Sequence, residues 1–343
     1  MGGVLVGHHG YVTAGGKDMS LFRFAILGAG KIARRFCDAA ALVDGCAVTA
    51  VASKSMERAR ELAQEKGIPA AYDSYEEMLD RERPDCAYIA TTCDSHFELA
   101  MLCVSKHVGV LCEKAMFTCS KEAETFFAES RKRGVFAMEA LWSRFLPANL
   151  RAREWAASGR IGDVVLSEMN IGFAAPLSPD NRYFSPALGG GAANDLTVYA
   201  LQLTTWILGR EIASAQVAAV RSETGVDETN VALLTMEGGA LAALKSSLRA
   251  NLNDQLAVYG TKGRIVVPHP HYASEALLMG PDGTVAERYV DGETKNGFTY
   301  EIGEAMARVR GGETESPVVP HASTLACARV FDQIRAALEG GKG

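Results

Sequence analysis

From residue 21 the chain alternates short apolar runs with amphipathic segments. Parallel strands joined by crossover helices produce this alternation, so the pattern predicts a parallel sheet wrapped by helices. The predicted strands are Phe22–Leu27, Ala47–Ala52, Cys86–Thr91, Val110–Glu113 and Val135–Glu139. The predicted helices are Lys31–Ala41, Met56–Lys66, Ser74–Arg81, His96–Lys106 and Lys121–Arg133. Together they form a doubly wound domain that ends near residue 140.

Beyond a helix predicted for Arg144–Ser158, apolar residues recur at every second position, which is typical of a largely antiparallel sheet. The strands predicted there are Val164–Ile171, Ala215–Arg221, Val231–Met236, Leu241–Leu248, Gln255–Tyr259, Arg264–Val267 and Val285–Val290. Helices are predicted for Gly189–Leu208, Phe298–Arg310 and Ala322–Glu339. The predicted fold is therefore α/β: a Rossmann-type doubly wound domain followed by an α/β domain with a large, mostly antiparallel open sheet.

These elements divide the chain into four parts. We expect a flexible extension over 1–20, a dinucleotide-binding domain over 21–140 and a substrate and dimerisation domain over 141–320. A last helix over 321–340 is expected to pack back on the first domain. The glycine-rich start holds His8 and His9 but no Lys or Arg before Lys17, so it lacks the features of a secretory signal, and Met19 is a possible alternative start.

Composition narrows the class of protein. The 343 residues are 48% hydrophobic and carry 35 Lys+Arg against 41 Asp+Glu, a formal charge of −6. This composition excludes disorder for most of the chain, and its mild acidity argues against a nucleic-acid partner. No apolar run is long enough to cross a membrane. The eight cysteines are scattered without a C-x-x-C pair, which favours free thiols in a reducing cytoplasm over disulfides or a zinc site.

A glycine-rich loop follows the first predicted strand. Gly28-Ala29-Gly30-Lys31-Ile32-Ala33 has G-x-G-x-x-A spacing and opens a helix, the context in which the motif signals a dinucleotide. Gly28 permits the tight turn, and Gly30 lets the backbone approach a pyrophosphate held by helix N–H groups. We therefore predict coenzyme contacts from Gly28, Gly30, Lys31 and Ile32, although the same spacing also occurs in plain strand-to-helix turns.

The end of the second strand indicates which coenzyme binds. An NAD enzyme usually has an acidic residue there, against the ribose hydroxyls. This chain has Ser53 and Lys54, with Arg58 one helical turn further. A hydroxyl and two cations suit a 2′-phosphate, so we predict NADP(H), with NAD still possible. The alternative is that Lys54 is a solvated loop charge.

Two polar constellations point to catalysis. Glu113 and Lys114 end an apolar strand at the carboxyl edge of the sheet, where the fold binds its ligands. Downstream, three glycines precede Asp195 and Tyr199, which share one helix face at i, i+4 spacing. We expect the glycines to allow a close approach of backbone to ligand. Each residue alone also has a structural explanation: a surface ion pair for Lys114, a helix-dipole carboxylate for Asp195 and a core tyrosine for Tyr199.

Together these motifs resemble the glucose-fructose oxidoreductase/inositol dehydrogenase (Gfo/Idh/MocA) family over about residues 21 to 340. The resemblance depends on three motifs: the glycine loop, Glu113-Lys114 in place of an E-K-P motif, and the glycine run before Asp195. The stretches 138–147 and 223–229 and the tyrosine at Tyr199, where sugar-oxidising branches usually carry histidine, are most similar to the dihydrodiol and D-xylose dehydrogenase branch.

The resemblance implies roles for the polar residues. Tyr199 would be the general acid/base, Lys114 would lower the pKa of its hydroxyl and bind the substrate oxygen, and Asp195 would orient the substrate or Lys114. Coenzyme contacts are also implied for Thr91, Thr92, His96, Glu113 and Lys114. The family's prolines in E-K-P and T-P-N are replaced by Ala115 and Thr92, which makes the placement of Lys114 less certain.

Further predictions concern the substrate. Trp142 and Phe173 are candidates for an apolar wall, with interdomain packing as the alternative. His269 and His271 lack a third ligand at metal spacing, so no metal site is predicted. The leading hypothesis is an NADP-dependent oxidoreductase acting on a small cyclic diol, sugar or polyol, homodimeric through its open sheet. Alternatives are inositol-type, imine or enone chemistry, an NAD-dependent glycosidase, and a catalytically silent coenzyme sensor.

Overall fold

The structure is a computed structural model, and it describes residues 20–340. Apart from Ser20, the predicted N-terminal extension, with His8, His9 and Met19, lies outside the described residues. Two sheets organise the rest, one of six strands and one of eight. None of the helices in this described range is long and apolar enough to cross a membrane.

The first sheet is parallel and has the strand order β3-β2-β1-β4-β5-β6. Its strands are β1 Phe22–Leu27, β2 Cys46–Ala52, β3 Ala70–Tyr72, β4 Cys86–Ile89, β5 Gly109–Glu113 and β6 Ala137–Ala140. Five of the six were predicted, and β3 was missed because three residues rich in alanine carry little strand signal. The order reverses between β1 and β4, and a doubly wound sheet opens its ligand crevice at that point.

Helices cover both faces of this sheet. They are α1 Lys31–Ala40, α2 Met56–Lys66, α3 Tyr75–Glu82, α4 His96–Ser105 and α5 Ser120–Arg133. Local sequence sets their ends: the Ser55 hydroxyl caps α2 by accepting from the backbone N–H of Arg58, and Gly67 ends it in the left-handed conformation. The α1 N-terminus at Gly30 has no side-chain cap and no acidic residue in its first turn. Its first N–H groups are therefore available to an anion.

The second sheet has eight strands in the order β14-β13-β12-β11-β7-β10-β9-β8, antiparallel except for the β7–β10 pair. The strands are β7 Val164–Gly172, β8 Ile212–Arg221, β9 Asp227–Met236, β10 Leu241–Ser247, β11 Gln255–Gly260, β12 Gly263–Pro268, β13 Glu275–Met279 and β14 Val285–Val290. Sequence analysis missed β13. Its sequence Glu-Ala-Leu-Leu-Met favours helix, and pairing with β12 and β14 overrides that preference.

Four further α-helices follow the first domain in the chain: α6 Pro147–Ala157, α7 Val198–Leu208, α8 Phe298–Gly311 and α9 His321–Gly340. The start of α6 differs from the prediction because Pro147 occupies the first turn and residues 142–145 form a separate 3-10 turn. Although it follows the second sheet in sequence, α8 packs on α1 and β4 of the first domain. Helix α9 packs on α5 and β6 as well as on β8 and β9, so it joins the two domains.

A buried polar network crosses the domain junction. The guanidinium of Arg144, only 1% exposed, donates to the backbone carbonyls of Gln202 and Val318. Gln202 in turn donates to Glu139 Oε2 at 2.7 Å, and Thr324 of α9 donates to the same oxygen. Burial raises the pKa of Glu139 and lowers that of Arg144 to about 9. Because buried polar groups are costly unless they are paired, this network favours one relative position of the two domains.

Candidate active site

A cleft of about 940 Å³ opens at the carboxyl edge of the first sheet. One wall consists of the ends of β1, β2, β4 and β5, and the other is the segment 181–195 that leads into α7. Twelve predicted site residues line it: Gly28, Gly30, Lys31, Ile32, Ser53, Lys54, Arg58, Thr91, Thr92, Glu113, Lys114 and Asp195. The strand ends bring together residues that lie far apart in sequence.

The glycine loop has the geometry of an anion cradle. Gly28 has φ +105°, and a Cβ there would lie 2.9 Å from the carbonyl oxygen of Ala90. Gly30 is different: the nearest atom to a Cβ would be that same oxygen at 3.8 Å, so its face is open to the cleft. Gly28 is therefore required by the turn, whereas the absence of a side chain at Gly30 leaves room for a pyrophosphate.

The end of β2 is lined by cations without an acidic residue. The buried Ser53 hydroxyl accepts from the N–H of Ser55 at 3.3 Å, while Lys54 and Arg58 extend into solvent. Lys31 and Arg35 from α1 line the same part of the cleft. Within residues 20–340 none of these four cations forms an ion pair, unlike neighbouring Arg34, which binds Glu61 and Glu65.

Sequence analysis missed two residues of this region. Arg35 lies two residues beyond the G-x-G-x-x-A motif and one helical turn from Lys31, so its spacing from the glycine loop was a usable signal. Tyr75 opens α3 and reaches the cleft, where Lys54 hydrogen-bonds to it through its backbone. No sequence motif marks Tyr75, because only the packing of α3 beside β2 brings it there.

Lys114 and Asp195 meet at the inner end of the cleft, and Tyr199 lies directly behind them. The ammonium of Lys114 donates to the backbone oxygen of Asp195 at 2.8 Å and to its carboxylate Oδ1 at 3.1 Å. The same ammonium lies 4.9 Å from the ring centroid of Tyr199, over its face. The Lys114–Ala115 peptide bond is cis. The lysine thus contacts both residues of the i, i+4 pair even though alanine replaces the family's proline.

These contacts decide the protonation states. Burial is the largest single effect on Lys114 and opposes its charge, but Asp195, Tyr199 and Cys93 together outweigh burial, so the pKa of the ammonium is raised. Burial likewise opposes ionisation of Asp195, and Lys114 and Arg182 outweigh it, so that pKa is lowered. For Tyr199 burial is the larger effect: its pKa is raised although the Lys114 ammonium acts to lower it. At neutral pH the site therefore holds an ion pair beside a protonated tyrosine.

A second cation, Arg182, was missed by the sequence analysis. Its guanidinium lies 3.3 Å from Asp195 Oδ1 and 4.0 Å above the ring of Tyr183, and its side chain is 55% exposed. Arg182 precedes the glycine run in an irregular segment, and nothing in its local sequence marks it. Asp195 therefore contacts two cations, the buried Lys114 and the exposed Arg182.

Tyr199, Trp142 and Phe173 lie behind the cleft lining. Trp142 hydrogen-bonds to Tyr199 through its side chain and stacks on Phe298 at 5.4 Å between centroids. Phe173 contacts Tyr183 edge-on at 5.1 Å, and Tyr183 is the ring that reaches the cleft. Both predicted wall residues, Trp142 and Phe173, are therefore packed against other aromatic side chains.

His96 and Glu113, two further predicted coenzyme contacts, form hydrogen bonds behind the strand ends. His96 is fully buried, with Nδ1 3.0 Å from the carbonyl of Ala115 and Nε2 3.2 Å from that of Thr91, so it ties the two loops together from behind. Burial lowers its pKa. Glu113 accepts from the hydroxyl of Tyr88, and burial raises the pKa of that carboxyl.

The glycine run differs from the prediction. The helix begins with a π turn at Ala193–Thr197, after the glycines rather than at Gly189. A Cβ on Gly189 would lie 2.8 Å from the Cβ of Cys93, and one on Gly191 would lie 2.3 Å from Asp227 Oδ1. Close packing within the protein therefore explains these glycines, although Gly189 also borders the cleft.

Asp227 was also missed as a functional residue. Its Oδ2 accepts from the backbone N–H of Ala193 at 2.8 Å and from the Asn230 amide. Burial raises its pKa to about 6. It anchors the start of the helical segment that carries Asp195 and Tyr199.

His269 and His271 converge on one carboxylate. Their Nδ1 atoms lie 3.3 and 3.2 Å from Asp254 Oδ2. Over residues 20–340 no group of three or more His, Cys, Asp or Glu side chains is arranged to hold a metal ion. The His271 ring packs against Tyr199, with 5.4 Å between the centroids.

Comparison with known proteins agrees with this geometry. A model of an oxidoreductase family with an NAD-binding Rossmann fold matches residues 22–141, and one of the GFO/IDH/MocA C-terminal domain matches residues 149–266. Trans-1,2-dihydrobenzene-1,2-diol dehydrogenase of Mus musculus is 34% identical over 326 residues, 92% of this chain and 96% of the relative. The Homo sapiens protein of that name is 32% identical over 297 residues, 85% and 88% of the two chains.

Solved structures share the fold. Aldose-aldose oxidoreductase from Caulobacter crescentus, complexed with glycerol, has a TM-score of 0.84 at 23% identity and covers 94% of this chain and 98% of its own. A mutant 3-ketoreductase from Actinomadura kijaniata, in complex with TDP-benzene and NADP, has a TM-score of 0.81 at 24% identity, with 92% and 97% covered. At such identities the likeness establishes architecture, and substrate must be argued from the site.

Proposed function

The chain belongs to the GFO/IDH/MocA oxidoreductase family, and on that premise we propose that it is an NADP(H)-dependent dehydrogenase or reductase of a small cyclic diol or aldose. The contact of Lys114 with both Asp195 and Tyr199 beside a dinucleotide cleft is the observation that carries the proposal. A bound coenzyme supplies C4 of its nicotinamide as hydride donor or acceptor.

The coenzyme preference rests on the charge of the cleft. Lys31, Arg35, Lys54 and Arg58 have no ion-pair partner in the described part of the chain, and no acidic residue lines the end of β2. A carboxylate there would bind a ribose hydroxyl and repel a phosphate, whereas unpaired cations lower the free energy of binding a 2′-phosphate. The residues present therefore fit NADP better than NAD.

The acid/base assignment rests on the inner end of the cleft. A tyrosine that is protonated at neutral pH is a proton donor to a carbonyl oxygen, and the Lys114 ammonium stabilises the negative charge that develops on that oxygen. In the opposite direction the same hydroxyl accepts the alcohol proton. Asp195 holds Lys114 in place, and orientation by this ion pair contributes to the rate.

The substrate class follows from the groups around the inner cleft. Lys114, Asp195 and Arg182 offer donors and an acceptor to hydroxyl groups, and the ring of Tyr183 lies beside them. A hydroxylated ring presents that combination of polar edges and apolar faces. The curated relatives are named for a cyclic diol, and the aldose-aldose oxidoreductase structure holds glycerol.

A spectrophotometric screen tests this function. Reduction of NADP and of NAD is followed separately with trans-dihydrodiols, pentoses, hexoses and inositols. We expect turnover of a diol or aldose with kcat/KM higher for NADP. Equal or better use of NAD contradicts the coenzyme assignment, and absence of turnover with every compound contradicts the proposed substrate class.

We also propose a homodimer formed through the second sheet. Its outer face exposes Leu166, Leu233 and Leu241 by 38%, 53% and 52%, and Leu241 pairs directly with Leu166 across the β7–β10 ladder. Large aliphatic side chains clustered on one flat face mark an interaction surface. A two-fold axis would place the same patch of a second copy against it.

The proposed location is the cytoplasm. All eight cysteines are free, and those at 37, 86, 103, 112 and 327 are buried. Buried thiols that form no disulfide are typical of proteins in a reducing compartment.

A further inference from the structure

The His271 side chain lies against Tyr199 but has no role in the acid/base chemistry proposed above. The turn Pro270–Tyr272 packs on α7 and on residues 142–145, and its His271 ring lies 5.4 Å from the Tyr199 ring at an angle of 44°. The turn is held in place by Asn149, whose amide donates to the Pro270 carbonyl at 2.7 Å and to the Ser143 carbonyl at 2.8 Å. A histidine is thus kept beside the candidate acid/base by a buried hydrogen-bonded anchor.

The His271 ring also lies beside a carboxylate. Nδ1 lies 3.2 Å from Asp254 Oδ2, which is within ion-pair distance, although the two atoms do not form a hydrogen bond. A carboxylate on Nδ1 favours the tautomer with its proton there, which leaves Nε2 as the acceptor. Asp254 is only 14% exposed and His271 23%, so the pair is shielded yet reaches water.

We propose that the Asp254–His271 pair relays the proton of Tyr199 to solvent, with Asp254 and His271 acting as positioning and proton-transfer residues rather than as substrate ligands. In other enzymes a hydroxyl gives its proton to an imidazole that is itself held by a carboxylate. The relay rests on the proposed function of Tyr199 and explains how a tyrosine with a raised pKa serves as a base.

The proton transfer balances in the direction of alcohol oxidation. The substrate C–H bond breaks and its electron pair leaves as hydride to the coenzyme, while the substrate O–H bond breaks and an O–H bond forms at Tyr199 Oη. The proton that Tyr199 carried moves to Nε2 of His271, directly or through one water, and then to bulk water. Asp254 balances the transient positive charge on the ring. Reduction runs the same path backwards.

The ionisable groups in contact with His271 come from three parts of the fold: Tyr199 on α7, Asp254 before β11 and Tyr272 in the turn itself. The segment 142–145, which packs on the turn, adds Arg144. Arg144 directs its guanidinium to the carbonyls of Gln202 and Val318, and α7 carries no charged side chain. The carboxylate of Asp254 is therefore the charge in direct contact with the ring.

The test compares His271→Gln with His269→Gln, since His269 shares Asp254 but does not contact Tyr199. Rates of oxidation are measured against pH with NADP and the best substrate of the screen. We expect His271→Gln to lower kcat by about tenfold or more, to abolish the limb of the profile that falls toward acid, and to leave coenzyme KM within about twofold. Added imidazole should restore part of the rate to His271→Ala, whereas His269→Gln should behave as the wild type.

An unchanged pH profile in His271→Gln, or an equal loss in His269→Gln, overturns the relay. If His271→Gln does not fold, Asp254→Asn is used, and it must alter the same acidic limb for the relay to stand. Lys114→Ala and Tyr199→Phe are measured alongside. Loss of activity in these two with a normal His271→Gln rejects only the relay, while full activity in all of them, or no turnover with any substrate, rejects the proposed function as well.

Discussion

Glu139, at the end of the first sheet, accepts a hydrogen bond from Gln202 on α7 at 2.7 Å. Its other carboxylate oxygen accepts from the backbone N–H of Met116 at 3.0 Å, two residues beyond Lys114. Gln202 lies one helical turn from Tyr199. A single buried carboxylate therefore sets the distance between the lysine and the tyrosine, although it touches neither.

Glu139→Gln tests this positioning role. Glutamine retains one acceptor for Met116 but presents an amide nitrogen to the Gln202 donor, so one of the two tethers is lost. Because displacement of about 1 Å can cost about 100-fold in rate, we expect kcat to fall by about tenfold or more with little change in coenzyme KM. Steady-state kinetics checks this, with Glu129→Gln on the surface of α5 as the matched control. Equal loss in both variants contradicts the prediction.

Lys114→Ala and Tyr199→Phe test the acid/base pair. Lys114→Ala removes the cation that would stabilise negative charge on the substrate oxygen, and Tyr199→Phe removes the hydroxyl that would transfer the proton. We expect kcat to fall by at least about 100-fold in each variant. Lys106→Ala is the control, because Lys106 binds Asp80 and Glu76 on the surface far from the cleft. Coenzyme binding followed by fluorescence separates loss of chemistry from loss of binding. A decrease below this size in both variants means that another residue moves the proton.

Lys54→Ala combined with Arg58→Ala tests the choice of coenzyme. The pair of cations would each contribute a charge-assisted hydrogen bond to a 2′-phosphate, and such bonds are worth about 1.5–3 kcal/mol. We expect the ratio of kcat/KM for NADP over NAD to fall by about tenfold or more, mostly through KM. Arg60→Ala on the same helix, outside the cleft lining, should leave the ratio unchanged. If the ratio is unchanged in the double variant, Lys54 and Arg58 are solvated surface charges that do not bind the 2′-phosphate.

Asp227→Asn tests a pH effect on stability. The pKa of Asp227 is raised from 3.8 to about 6, so the folded chain binds a proton more readily than the unfolded chain. Its contribution is fully present below about pH 4 and is lost as the pH rises through about 6, by up to about 3 kcal/mol. Asparagine does not titrate. Urea unfolding at pH 5 and pH 7.5 should therefore show a smaller difference in the variant, and an equal difference contradicts the burial argument.

Leu233→Glu tests the proposed dimer. A new carboxylate beside Leu241 and Leu166 would be desolvated in a two-fold interface, which is unfavourable. Light scattering after size exclusion should give twice the chain mass of 36.6 kDa for the wild type and a single chain for the variant. Asp282→Ala, in the turn between β13 and β14, serves as the control. A wild-type monomer contradicts the proposal.

The local sequence specified most of the fold. Alternating apolar runs and glycine spacing identified five of the six strands of the first sheet and the loop at Gly28, because hydrophobic periodicity and backbone freedom are local properties. It failed at β13, whose helix-forming residues become a strand only because β12 and β14 pair with them. Sequence analysis also began the Tyr199 helix too early, at Gly189. The glycines are needed for packing against Cys93 and Asp227, and these residues are distant in sequence, so no local signal shows it.

By itself the sequence determined the two-domain α/β plan, the family, the dinucleotide loop and the candidate trio of Lys114, Asp195 and Tyr199. Tertiary structure alone decided what surrounds them. Arg182 shares Asp195, His271 lies against Tyr199, and Glu139 ties the two domains, all across separations of 13 residues or more. The protonation of Tyr199 also follows from folding, because burial outweighs the charge of Lys114 only once the domains have closed around the ring.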